Sequence, residues 1–100
     1  MIVKFSYVER AIEVINRHDK QKPLFLYYAA QNPHSGETFD VPEEYARRYE
    51  NLTKSINRRK MLGMITVLDE SIFNITNALE KNGMLDDTII VFTSDVLTCL

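Results

Sequence analysis

Leu24-Phe25-Leu26-Tyr27-Tyr28-Ala29-Ala30-Gln31-Asn32-Pro33-His34 decides how the rest of the chain is read. Leu24 to Ala30 carries no charge and is rich in aromatic and aliphatic residues, which predicts a buried strand. Asn32-Pro33 and Ser35-Gly36 are loop signals, so a loop is predicted from Gln31 to Asp40. The strand would deliver its chemistry at its carboxyl end, through His34.

On the N-terminal side, Phe5, Val8, Ala11, Ile12 and Ile15 form the stripe of an amphipathic helix over Phe5–His18. Ser6 with Glu9 fits a capping box, and polar residues up to Pro23 make a turn. On the C-terminal side, Pro42–Tyr49 reads as a short helix with proline first and Glu43 and Glu44 in its first turn. The longest helix is expected over Ser55–Asn82, on the spacing of Met61, Met64, Ile65, Leu68, Ile72, Ile75 and Leu79, with Gly83 as its stop. Asp69, Glu70 and Asn74 lie off that stripe. A turn over Met84–Asp87 leads to a second expected strand, Thr88–Ser94, rich in β-branched residues.

The expected order is helix, strand, helices, strand. Two apolar strands joined by a long helical connection imply a parallel pair with a right-handed crossover. Neither alternates polar with apolar residues, so both should be covered on both faces, as central strands of an α/β sheet are. Two such strands would have open edges and too few layers to cover them. The chain therefore reads as a slice of a larger α/β domain.

Ligands of open parallel sheets gather at the carboxyl ends of the strands. His34 follows the first strand and Asp95 the second, so the topology brings both to one sheet edge. An imidazole there can protonate a leaving group, and a carboxylate can hold a hard cation. By local pattern alone, His34 is more simply a polar loop residue and Asp95 a turn cap. Asp69 and Glu70 read as a solvated helix face, and His18 as a helix-terminal residue that complements the dipole. Arg58-Arg59-Lys60 reads as a solvated helix end. Cys99, the single cysteine of the 100 residues, has no internal disulfide partner and sits beside the last residue, a poor place for a nucleophile.

Hydrophobic residues make up 45% and charged residues 26%, ordinary for a globular chain, and the net charge of -2 offers no basic face for nucleic acid. No apolar run approaches the roughly 20 residues of a membrane span, and Met1-Ile2-Val3-Lys4 does not open a secretory signal. Two N-glycosylation sequons, Asn51-Leu52-Thr53 and Asn74-Ile75-Thr76, mildly favour a parent protein in the secretory pathway over sequons left unused. No glycine-rich phosphate loop follows either strand, which disfavours a nucleotide-binding module.

Lys22–His34 resembles the strand and histidine loop of the sulfatases, within the alkaline-phosphatase-like superfamily. Val41-Pro42-Glu43-Glu44-Tyr45 resembles the segment that follows in the arylsulfatase B group. Gly63–Glu70 is similar to that group's long helix, with Asn74-Ile75-Thr76 where it has a sequon. Val91-Phe92-Thr93-Ser94-Asp95 is similar to the strand that leads into the family's metal-binding turn. The resemblance covers roughly residues 5–95; the order and spacing of the motifs are more specific than any one of them. It implies a sheet-sandwich fold, hydrolysis of sulfate esters by a formylglycine nucleophile, and a calcium ion acting as a Lewis acid. His34 would be the histidine that contacts the ester and assists the leaving group, and Asp95 a calcium ligand. For the arylsulfatase B group the substrate would be the sulfated amino sugar of a glycosaminoglycan such as dermatan or chondroitin sulfate; an aryl sulfate is the simpler alternative. The parent would be lysosomal or secreted.

The departures are equally specific. The family has Asn-Gly after the aspartate, where this chain has Val96-Leu97-Thr98-Cys99-Leu100. The paired N-terminal aspartates, the Cys-x-Pro-Ser-Arg nucleophile motif and the later lysine region have no counterpart, and His34 is followed by Ser35-Gly36 instead of x-Pro. The expectation is a partial catalytic domain over 1–95 with a divergent tail over 96–100, inactive as an isolated chain. The alternative is a truncated or spliced non-catalytic product, an interaction module or a chain without function.

Overall fold

The computed structural model describes residues 3–33 and 41–94, the first four as backbone only. Three α-helices, α1 (Val3–Arg17), α2 (Glu43–Arg47) and α3 (Ile56–Lys81), are followed by a 3₁₀ turn at Leu85–Asp87. All three helices lie within a few residues of where they are expected, α1 and α3 on apolar periodicity and α2 on Pro42 and its acidic first turn. α1 begins earlier than expected, so Ser6 lies inside it and does not cap it.

α3 stops on the predicted glycine and starts one residue after the expected Ser55, which caps it. The Ser55 hydroxyl accepts a hydrogen bond from Arg58 N at 3.4 Å, taking up one of the donors left over at a helix start. At the other end Gly83 takes φ +68°, the left-handed conformation that glycine adopts without a Cβ clash. Its N–H donates to Glu80 O and that of Met84 to Leu79 O, both at 2.9 Å, so two terminal carbonyls are satisfied. Met84 then packs against the cluster that contains Leu79.

Along α1 and α3 the buried residues meet at Ile15, Ala78 and Leu79, joined by Ile12, Leu24, Ile75, Met84 and Leu85. Asn82 Nδ2 closes this end with 2.8 Å bonds to Asn16 Oδ1 and Ala78 O. The most deeply buried line on α3 is Met64, Val67, Ser71, Ala78 and Leu79, while Ile65 and Phe73 are exposed. That line is rotated from the expected one because α3 carries apolar side chains around a wider arc than α1 and α2 cover.

α2 lies against α3 at Gly63. A Cβ on Gly63 would stand 3.2 Å from Ala46 N and from the Tyr45 carbonyl carbon and Cβ, so only glycine lets the two backbones come this close. Tyr45 and Ala46 are buried by the contact.

The expectation of two paired strands buried on both faces is not met. Leu24–Ala30 and Thr88–Ser94 are neither helical nor laddered, and no strand is present among the described residues. Leu24 and Tyr28 are half-buried, and Leu24 packs on the helical cluster, but Phe25 is 91% and Tyr27 79% exposed. In the second segment Ile89 and Val91 are 91% and 81% exposed, Ile90 and Phe92 less so. Successive side chains of an extended chain point to opposite faces. In the first segment one face therefore rests on the helices, and the other is left exposed by the described residues. A ladder needs a second backbone alongside, and none of the described residues supplies one.

Candidate functional site

His34 and Asp95 lie outside the described residues. The structure shows what leads up to each. The Gln31-Asn32-Pro33 segment, with a cis bond before Pro33, runs beside α1 and α3. Gln31 Nε2 donates a long, 3.5 Å bond to the Tyr7 hydroxyl on α1, and Asn32, only 8% exposed, is buried. A cavity of about 20 Å³ opens between this segment and the helices, bounded among others by Tyr7, Asn32, Val67 and Ser71. The approach to Asp95, from Thr88 to Ser94, is exposed from Ile89 onward.

After the stretch that carries His34 the described chain resumes at Val41 and enters α2, which is held by a polar cluster. The buried Tyr45 hydroxyl donates to Glu70 Oε2 at 2.6 Å, Arg48 Nη1 approaches Glu70 Oε1 at 3.5 Å, and the Arg48 guanidinium lies 4.7 Å over the Tyr45 ring. The Glu70 bond, strengthened by burial, pushes the Tyr45 phenol up to about 12 from its ordinary 10.0. One turn away, the Thr66 hydroxyl donates to Leu62 O at 2.9 Å and accepts a hydrogen bond from the Tyr49 hydroxyl. Glu70, part-exposed, thus also anchors α2, while Asp69 is exposed as expected. Arg59, read as part of a solvated run, closes the turn before α3 by donating to Thr53 O at 2.7 Å.

His18 follows α1 and donates from Nε2–H to Lys22 O at 2.7 Å, so it closes the 18–22 turn instead of acting only on the helix dipole. Asn51 is exposed in the turn between α2 and α3. Asn74 is exposed on α3 at the rim of an open groove of about 210 Å³ that Ile12, Asn16, Asn77 and Lys81 also line. The Thr76 hydroxyl of its sequon donates to the Ile72 carbonyl at 2.9 Å. Cys99 lies outside the described residues.

Sequence reasoning missed Asn32 and Tyr45. Asn32-Pro33 was legible only as a turn signal, and nothing local marks the asparagine as buried. Tyr45 and Glu70 are 25 residues apart, so only the packing of α2 on α3 joins them.

The sulfatase family model matches residues 6–97 of this chain. Arylsulfatase J of Mus musculus is 39% identical over 89 residues, which are 89% of this chain and 14% of that protein. An uncharacterised sulfatase of Escherichia coli strain K12 is 32% identical over 88 residues, 87% of this chain and 15% of that protein. Choline-sulfatase of Rhizobium meliloti strain 1021 is 37% identical over 73 residues, 65% of this chain and 13% of that protein. No solved structure matches significantly. The chain belongs to the sulfatase family, whose domain implies an alkaline-phosphatase-like α/β fold. It spans about one seventh of the length of these curated relatives.

Calcium takes six to eight oxygen ligands. Among the described residues no three of His, Cys, Asp or Glu gather where they could hold a metal ion. In sequence, Asp95 is followed by Val96, which has no side-chain oxygen. Among the described residues the donors do not by themselves fit a calcium site. No helix among the described residues is long and apolar enough to cross a membrane.

Proposed function

We propose that this chain is a segment of a sulfuric ester hydrolase of the arylsulfatase type, and that the isolated chain does not turn over substrate. The family match over residues 6–97 carries the reading. The motifs at Val41–Tyr45 and Gly63–Glu70 favour the arylsulfatase B group, and with it a sulfated amino sugar of a glycosaminoglycan as the substrate, ahead of a simple aryl sulfate. In the complete site His34 would protonate the ester oxygen as it leaves sulfur. Asp95 would offer one carboxylate to a calcium ion whose other ligands come from elsewhere. Asn51 and Asn74, both exposed, are the proposed glycan sites. Residues 1–95 form the sulfatase part and 96–100 the divergent tail.

Incubating the purified chain with 4-nitrophenyl sulfate tests its inactivity. No release of nitrophenol above the blank is expected, and turnover contradicts the reading. In a longer protein that carries this stretch and is active, His34→Ala should lower kcat by about 10²-fold or more. An unchanged kcat would remove His34 from the mechanism.

A further inference from the structure

We propose that folding sets the order in which the two sequons are modified: Asn51 accepts a glycan on the folded chain, whereas Asn74 accepts one only before α3 has formed. The proposal rests on the reading of both asparagines as glycan sites and adds the sequence in which they are filled. The reaction is the same at each. The asparagine Nδ2 attacks the anomeric carbon of a sugar carried on a lipid diphosphate. The C–N bond forms as the C–O bond to the diphosphate breaks, Nδ2 gives up one proton, and the lipid diphosphate leaves. The motif names two side chains, the asparagine and a threonine two residues on, so the transferase must reach both from one side.

Inside α3 the two cannot be presented together. Residues two apart on an α-helix project about 200° from one another, so Asn74 and Thr76 stand on opposite sides. Asn74 is exposed, but the half-buried Thr76 hydroxyl lies back on its own helix, 2.9 Å from both Ile72 O and Phe73 O. Engaging both side chains requires α3 to unwind here. Ile75, between them, packs on the cluster of Ile15, Ala78 and Leu79, so unwinding opens the core that α3 shares with α1. Asn51-Leu52-Thr53 stands outside the helices, in the connection from α2 to α3. Asn51 is exposed and Leu52 is 73% exposed. The Thr53 hydroxyl accepts from Ser55 N at 3.2 Å and keeps its proton to give. Opening this turn releases the N–H bonds of Leu52 and Thr53 to Tyr49 O and the Arg59 bond to Thr53 O, and it uncovers no buried apolar side chain of the sequon. Opening costs least in such turns and most where core packing is broken, so the turn opens far more often than the packed part of α3.

The test incubates the purified, folded chain with an oligosaccharyltransferase and its lipid-linked oligosaccharide donor, and reads the occupancy of each asparagine over time by mass spectrometry. Asn51 should fill at least about tenfold faster than Asn74. Phe73→Pro leaves Asn-Ile-Thr intact at a neighbouring exposed position and breaks α3 just before the sequon. It should raise the rate at Asn74 at least about tenfold, whether it melts one turn or the whole helix. Equal filling of both asparagines on the folded chain, an Asn51 left empty there, or an Asn74 rate unmoved by Phe73→Pro overturns the proposed order. Failure of both asparagines in both proteins overturns the glycan reading itself, and the order with it.

Discussion

Ile15 and Phe25 are both large apolar residues, ten positions apart across one turn, and they meet opposite fates. Ile15 is fully buried between α1 and α3; Phe25 is 91% exposed. The same contrast divides the molecule. Its helices bury apolar side chains against each other, α3 is capped at both ends, and Gly63, Tyr45 and Glu70 fasten α2. Its two apolar segments, Leu24–Ala30 and Thr88–Ser94, have composition suited to a sheet interior and, among the described residues, no backbone laddered alongside. A helix satisfies its backbone hydrogen bonds within itself, whereas a strand needs a neighbour. A helical layer can therefore assemble from this stretch alone, and a sheet cannot.

The largest effect that would sharpen the comparison is in the helical core. Ile15→Ala should cost about 2–5 kcal/mol, read from denaturant unfolding, because a fully buried side chain leaves a cavity. Tyr45→Phe comes next. It removes a hydrogen bond to a charged group that is part-exposed at Glu70, and about 1.5 kcal/mol is expected. The same variant carries a pH signature. The folded phenol titrates at about 12, above its ordinary 10.0, so its contribution is full below pH 10 and lost as pH rises toward 12. Thermal scans of the wild type should show that alkaline decline, and Tyr45→Phe should lack its share of it. Gly63→Ala should cost about 1 kcal/mol: the methyl presses on α2, and better helix propensity offsets only part of the strain. Smallest is Ile89→Thr, expected within about 0.5 kcal/mol because Ile89 is exposed, but with less self-association by light scattering. A loss from Ile89→Thr as large as that from Ile15→Ala would erase the difference between the two regions.

The helices were legible because their signals are local: period, the proline and acids that open α2, and the Gly83 stop lie within a turn of what they control. The rotation of the buried line on α3 was not, since Met64, Val67 and Ser71 face neighbours that periodicity cannot name. The anchoring role of Glu70 was missed for the same reason, its partner Tyr45 being far away in sequence. For the segments at 24–30 and 88–94, composition gave the environment they suit, while pairing depends on other backbone. The carriers of the expected chemistry, His34 and Asp95, lie outside the described residues, and their roles rest on the family resemblance. Of the site's surroundings, Asn32 was hidden because Asn-Pro looks the same in sequence whether the asparagine is exposed or buried.

Amide hydrogen exchange on the monomeric chain at low concentration tests the central contrast most directly. Amides of α3 from Met64 to Leu79 should be the most protected, while those of 25–30 and 89–93 should exchange near unprotected rates, since no ladder bond holds them. Protection of both segments to the level of α3 would mean that they are paired strands in this chain, and would contradict the account.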